Sequence, residues 1–138
     1  MKKKINTVIQ ICEKVKTEGV IWKSEYHRTR HIERRIGHNH ISSEDSLKEY
    51  ENIILELLNG ENNEVYLYYN YKDDYYVFGN PETSWIAIFS EEAIIDTAFK
   101  VEKEKYGKNY KEYLAEEFNY LYLGRLRDFY KKQGKDAL

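Results

Sequence analysis

The sequence is poor in residues that staple or punctuate a chain. Of its 138 residues, one is cysteine, one is proline and seven are glycine. The single cysteine, Cys12, excludes an internal disulfide framework and a cysteine-based zinc ribbon. So little proline and glycine, with no low-complexity tract or internal repeat, leaves small scope for linkers or disorder. No apolar run approaches the ~20 residues that a membrane helix needs. No signal-peptide pattern follows Met1-Lys2-Lys3-Lys4. The expectation is a soluble, cytoplasmic protein with no membrane association, folded as one domain over residues 1–138.

A strong charge of either sign is also missing, since the net charge is −2. That sum hides a segregation. Residues 1–21 carry 5 basic and 2 acidic side chains, a balance of +3, and residues 22–40 repeat those counts. Residues 41–90 carry 2 basic and 10 acidic, a balance of −8, and residues 91–138 are neutral with 10 of each. All four histidines fall between His27 and His40. A basic, histidine-bearing segment is set against an acidic middle.

The hydrophobic pattern gives the elements. Ile5, Val8, Ile9, Cys12 and Val15 recur at helical spacing and predict a helix over about 4–17, closed by Gly19. Val20-Ile21-Trp22 suits a short strand, while Tyr26–His40 is polar and fits neither period clearly. Ser42-Ser43-Glu44-Asp45 is a helix start. Leu47, Tyr50, Ile53, Ile54, Leu57 and Leu58 carry a helix over about 43–58. The period then switches to two, giving strands at about 64–71, 74–79, 84–90 and 93–101, joined by short connectors. Tyr110, Leu114, Phe118, Leu121, Leu126 and Phe129 predict a long C-terminal helix over about 104–132, weakened at Gly124 by about 1 kcal/mol. The expected fold is α+β: a four-stranded antiparallel meander sheet packed by N-terminal helices and a long C-terminal helix.

The basic segment holds the groups suited to chemistry at neutral pH. Histidine can give or take a proton there, and arginine presents planar donors to phosphate. His27, Arg30 and His31 would share one side of a helical turn, joined by Arg34 and Arg35. A base and an acid suffice to cleave RNA without metal: one takes the 2′-hydroxyl proton, the other protonates the leaving 5′-oxygen, and a 2′,3′-cyclic phosphate forms. The plainer reading of each residue alone is a solvated surface side chain. A metal reading competes, with His27 and His31 completed by His38 or His40. No H-E-x-x-H motif supports it, so neither metal nor cofactor is expected.

Fourteen tyrosines are present, six of them between Tyr66 and Tyr76. They suit a half-buried sheet more than a base-stacking platform, because Glu61, Glu64, Asp73 and Asp74 would repel a phosphate backbone. On the last strand, simple alternation places Thr97 and Phe99 on one face and Asp96, Ala98 and Lys100 on the other. Thr97 would there be an ordinary strand threonine or a phosphate contact. Cys12, on the apolar stripe, reads as core.

The motif His27-Arg28-Thr29-Arg30-His31, the helix start at Ile41–Asp45, and the run Ile94-Ile95-Asp96-Thr97-Ala98-Phe99-Lys100 resemble a known group. It is the phage-associated members of the barnase–EndoU–colicin–RelE ribonucleases, and the resemblance covers residues 20–101. It implies a toxin-like endoribonuclease acting on RNA, with an antitoxin or immunity protein as a partner. It also implies His27 and His31 as acid and base, Arg30 as a phosphate ligand and Thr97 as a late-strand contact. Arg28, Arg34, Arg35, His38, His40 and Lys100 complete the expected substrate-binding set. The acidic, tyrosine-rich hairpin supports a different function. That alternative is a non-enzymatic phage or mobile-element protein that binds and inhibits a host nuclease or defence protein.

Overall fold

The computed structural model describes residues 2–37, 41, 46–70, 73–102, 107, 110–117 and 120–132. The expected helix start at Ser42–Asp45, together with His38 and His40, lies outside them. Helix α1 (Lys2–Glu18) leads into a short strand, β1 (Ile21–Trp22), then α2 (Glu25–Gly37) and α3 (Ser46–Leu57). Strands β2 (Glu64–Asn70), β3 (Asp73–Gly79), β4 (Trp85–Ser90) and β5 (Ile94–Lys100) follow. Then come α4 (Tyr110–Glu117), β6 (Leu121–Arg125) and α5 (Leu126–Lys132).

The molecule is α+β, but the expected four-stranded meander needs correction. Among the described residues the sheet has six strands in the order β1-β5-β4-β3-β2-β6. It is mixed, since β1 runs parallel to β5 while the other pairings are antiparallel. The expected long C-terminal helix over about 104–132 needs correction as well: among the described residues that stretch forms α4, β6 and α5. Its middle is β6, which pairs with β2 through Leu67↔Leu121, Tyr66↔Tyr122, Val65↔Gly124 and Glu64↔Arg125. The reason is an open edge: without β6, the outer side of β2 would offer its backbone groups to solvent. One extra residue, Leu123, makes a bulge, and Gly124 adopts φ 135°, which side-chain-bearing residues rarely reach. The backbone N–H groups of Leu126 and Arg127 then donate to the carbonyls of Asn63 and Glu61.

Both faces of the sheet are covered. On one face Val8, Ile11, Cys12 and Val15 of α1, Tyr50, Ile54 and Leu57 of α3, and Leu126 and Phe129 of α5 bury Phe78, Ala87, Phe89 and Ala98. On the other face Tyr110 and Leu114 of α4 bury Val77, Ile86 and Ile88, with Tyr66 and Tyr120 in the same cluster. This explains why Trp85-Ile86-Ala87-Ile88-Phe89 is apolar throughout instead of alternating. It also places many tyrosines. The second layer is thin, and Tyr66, Tyr68, Tyr110, Tyr120 and Tyr122 form a continuous aromatic cluster over it.

Candidate functional site

The site is built where β1 stops. β1 pairs only with Ile94 and Ile95 of β5, and the chain turns into α2 directly after Trp22. Ser24 caps this helix: its Oγ accepts from the His27 N–H at 3.2 Å, and its carbonyl accepts from the Arg28 N–H at 3.1 Å. Beyond the reach of β1, side chains serve the β5 backbone. The Ala98 carbonyl accepts from the Tyr50 hydroxyl at 2.6 Å and from Arg35 Nη1 at 3.4 Å.

A groove of about 440 Å³ opens between α2 and β5. His27, His31, Arg30 and Arg34 line it from the helix, as does Tyr26, and Asp96 and Thr97 line it from the strand. His31 Nδ1 lies 3.3 Å from Thr97 Oγ1, a contact across 66 positions of sequence. The imidazole stacks on the Trp22 ring, with centroids 5.8 Å apart and planes at 29°. Trp22 Nε1 in turn donates to Glu51 Oε2 at 3.1 Å. His31 is thus held on two sides. Its pKa is lowered from 6.5, first by burial and then by the positive charges of Arg34 and Arg35, with Asp96 opposing. The neutral imidazole is favoured at neutral pH. His27 sits one turn earlier and is exposed, with its Nδ1 3.0 Å from Ser24 Oγ.

Five of the expected residues therefore meet: His27, His31, Arg30, Arg34 and Thr97. Three others lie apart. Arg28 pairs with Glu25 at 2.5 Å and faces a separate hollow beside Val20 and Trp22. Arg35 is turned inward, 6% exposed, with its guanidinium over the Phe99 ring. Lys100 lines a cavity with Ile53, Leu57 and Asn80, away from the groove. His38 and His40 lie outside the described residues. No group of three or more His, Cys, Asp or Glu side chains that could hold a metal ion is found among the described residues.

In comparison with known proteins, a family model described as "Uncharacterised protein aq_aa01" matches residues 13–133. The chain belongs to the aq_aa01 family. No curated protein and no solved structure matches it. The aq_aa01 match spans the whole groove, from Tyr26 to Thr97.

Sequence reasoning missed two residues of this groove. Tyr26 precedes Arg30 by one helical turn, as Arg30 precedes Arg34, so the row 26, 30, 34 was the available signal. Asp96 had none. Simple alternation sets it on the face opposite Thr97, but the β4–β5 register shifts there: Phe89 pairs with Ile95 and Ile88 with Thr97. Asp96 is the extra residue, and the resulting bulge turns both side chains to the groove.

Proposed function

We propose that the groove is the active site of a metal-independent endoribonuclease. The observation that carries this is the contact of His31 with Thr97 in a groove that also holds His27, Arg30 and Arg34. In this reading His31 is the general base. The role requires the tautomer in which Nδ1–H donates to Thr97 Oγ1, which leaves the Nε2 lone pair for the 2′-hydroxyl proton. The 2′-oxygen attacks phosphorus and the P–O5′ bond breaks. Protonated His27 donates to the leaving 5′-oxygen. Arg30 and Arg34 balance the charge on the phosphoryl oxygens. The products are a 2′,3′-cyclic phosphate and a 5′-hydroxyl. The toxin-like, cytoplasmic setting and an antitoxin or immunity partner belong to the same proposal, on the strength of the motif resemblance alone.

The test is incubation of the purified protein with RNA in EDTA, with analysis of the product ends. Cyclic phosphate ends are expected, lost in His27→Ala and His31→Ala. No cleavage by the parent, or equal cleavage by both variants, overturns the reading.

A second reading has its own observation. Asp73, Asp74, Glu91, Glu92 and Asp96 surround a cavity of about 360 Å³, where the one basic side chain among the lining residues is Lys23. An acidic face of this kind suits a non-enzymatic binder that occupies the cationic surface of a host nuclease or defence protein. Asp73→Lys with Asp74→Lys would abolish a stoichiometric host partner in a pull-down, whereas His31→Ala would leave it intact.

A further inference from the structure

Tyr26 is 66% exposed, among the most exposed large hydrophobic side chains, yet it is not loose. Its hydroxyl accepts from Arg30 Nη1 at 3.2 Å. The same guanidinium lies 5.7 Å from its ring centroid, and the His27 ring meets it edge-on at 6.3 Å and 90°. A large aromatic left in water gains nothing for folding, and among the described tyrosines only Tyr69 and Tyr122 are also exposed, both on the sheet. This one is held in a fixed pose on the wall of the groove that contains Arg30 and Arg34. A flat apolar surface oriented in advance beside phosphate-binding cations is the arrangement by which proteins hold unpaired bases. The cavity, about 440 Å³, is within the range of small-ligand sites.

We propose that the exposed face of Tyr26 is a nucleobase subsite, so that the groove takes unpaired RNA with one base stacked on Tyr26 and the adjoining phosphate on Arg30. The subsite rests on the RNA reading of the groove, and deepens it by restricting the substrate to single strands, since a paired base presents no free face to the ring.

The test separates binding from cleavage. A fluorescently labelled 2′-O-methyl oligonucleotide cannot be cut, because its 2′-oxygen is blocked. Its binding is measured by anisotropy against the same strand with abasic positions. The parent protein should prefer the base-bearing strand by roughly tenfold. Tyr26→Phe, which keeps the ring, should retain that preference. Tyr26→Ala should lose it while still binding the abasic strand, with an unchanged circular dichroism melting curve. A Tyr26→Ala variant that keeps the preference overturns the subsite, as does a parent protein that shows none. If the preference behaves as expected but the ribose form of the strand stays intact, the subsite stands and the nuclease reading falls. If RNA is cleaved without any base preference, the nuclease reading stands and the subsite falls.

Discussion

His31 differs from its neighbours in what surrounds it. Burial and two arginines favour its neutral form, and the Trp22 ring covers one face. Its protonation should therefore be visible from Trp22, because an imidazolium quenches an adjacent indole. Fluorescence titration is expected to show a midpoint below 6.5 that Trp22→Phe removes. Arg34→Gln, which takes away a positive charge, should raise that midpoint. The same shift affects stability. The unfolded chain takes up this proton near 6.5 and the folded chain only at lower pH, so stability falls as pH drops from about 6.5 and levels off once folded His31 is also protonated. Under the nuclease reading, His31→Ala should lower kcat by roughly 10²–10⁴-fold. Thr97→Val, which loses one hydrogen bond of about 1 kcal/mol, should cost only several-fold.

At the scale of elements, the C-terminal region shows how tertiary demand overrides a local pattern. Tyr110 and Leu114 hold helical spacing and form α4, but Leu121–Arg125 completes the sheet. Gly124 permits this with φ 135°. Gly124→Ala should destabilise the protein by about 1–3 kcal/mol through backbone strain alone, since its Cβ would meet nothing closer than 3.7 Å. Gly79→Ala should do so by a different route. Its Cβ would come 2.7 Å from the Tyr110 ring. That ring is not free to move, because the Tyr110 hydroxyl donates to Glu64. Overpacking of this kind costs about 1–3 kcal/mol. Chemical denaturation measures both losses; a change under 0.5 kcal/mol in either would contradict its mechanism.

At the scale of the molecule, two buried groups report on the fold. Glu64 is 5% exposed and receives hydrogen bonds from Tyr110 and Tyr66, with Lys111 Nζ at 3.1 Å. Burial alone would raise its carboxyl, but these donors outweigh burial and hold it below 4.5. A depressed carboxyl gives stability that is present above 4.5 and lost as pH falls through the folded value. Glu64→Gln should flatten that acid branch of the melting curve and leave the His31 branch near 6.5 in place. Cys12 is fully buried in the face packed by α1, and burial pushes its thiol up to about 12. It should be inert to thiol reagents in the native protein and react at the rate of global unfolding. Rapid native labelling would show that the α1 layer opens locally.

The alternation from Val65 and the 3–4 spacing from Ile5 were legible because each is set by the geometry of a single element, two sheet faces for the strand and one buried stripe for the helix. The cluster of His27, Arg30 and His31 was legible for the same reason, as a single helical turn. Local period could not show what depends on partners distant in sequence. β6 exists because β2 has an edge, and Arg35 is buried because β1 ends at Trp22. Asp96 joins Thr97 only through a register shift against β4. Which segments carry apolar faces and where the basic side chains concentrate can be read from the chain alone, since both are properties of neighbours along it. The tertiary structure alone decided which basic side chains face a common groove, because that depends on where strands end and how they are paired.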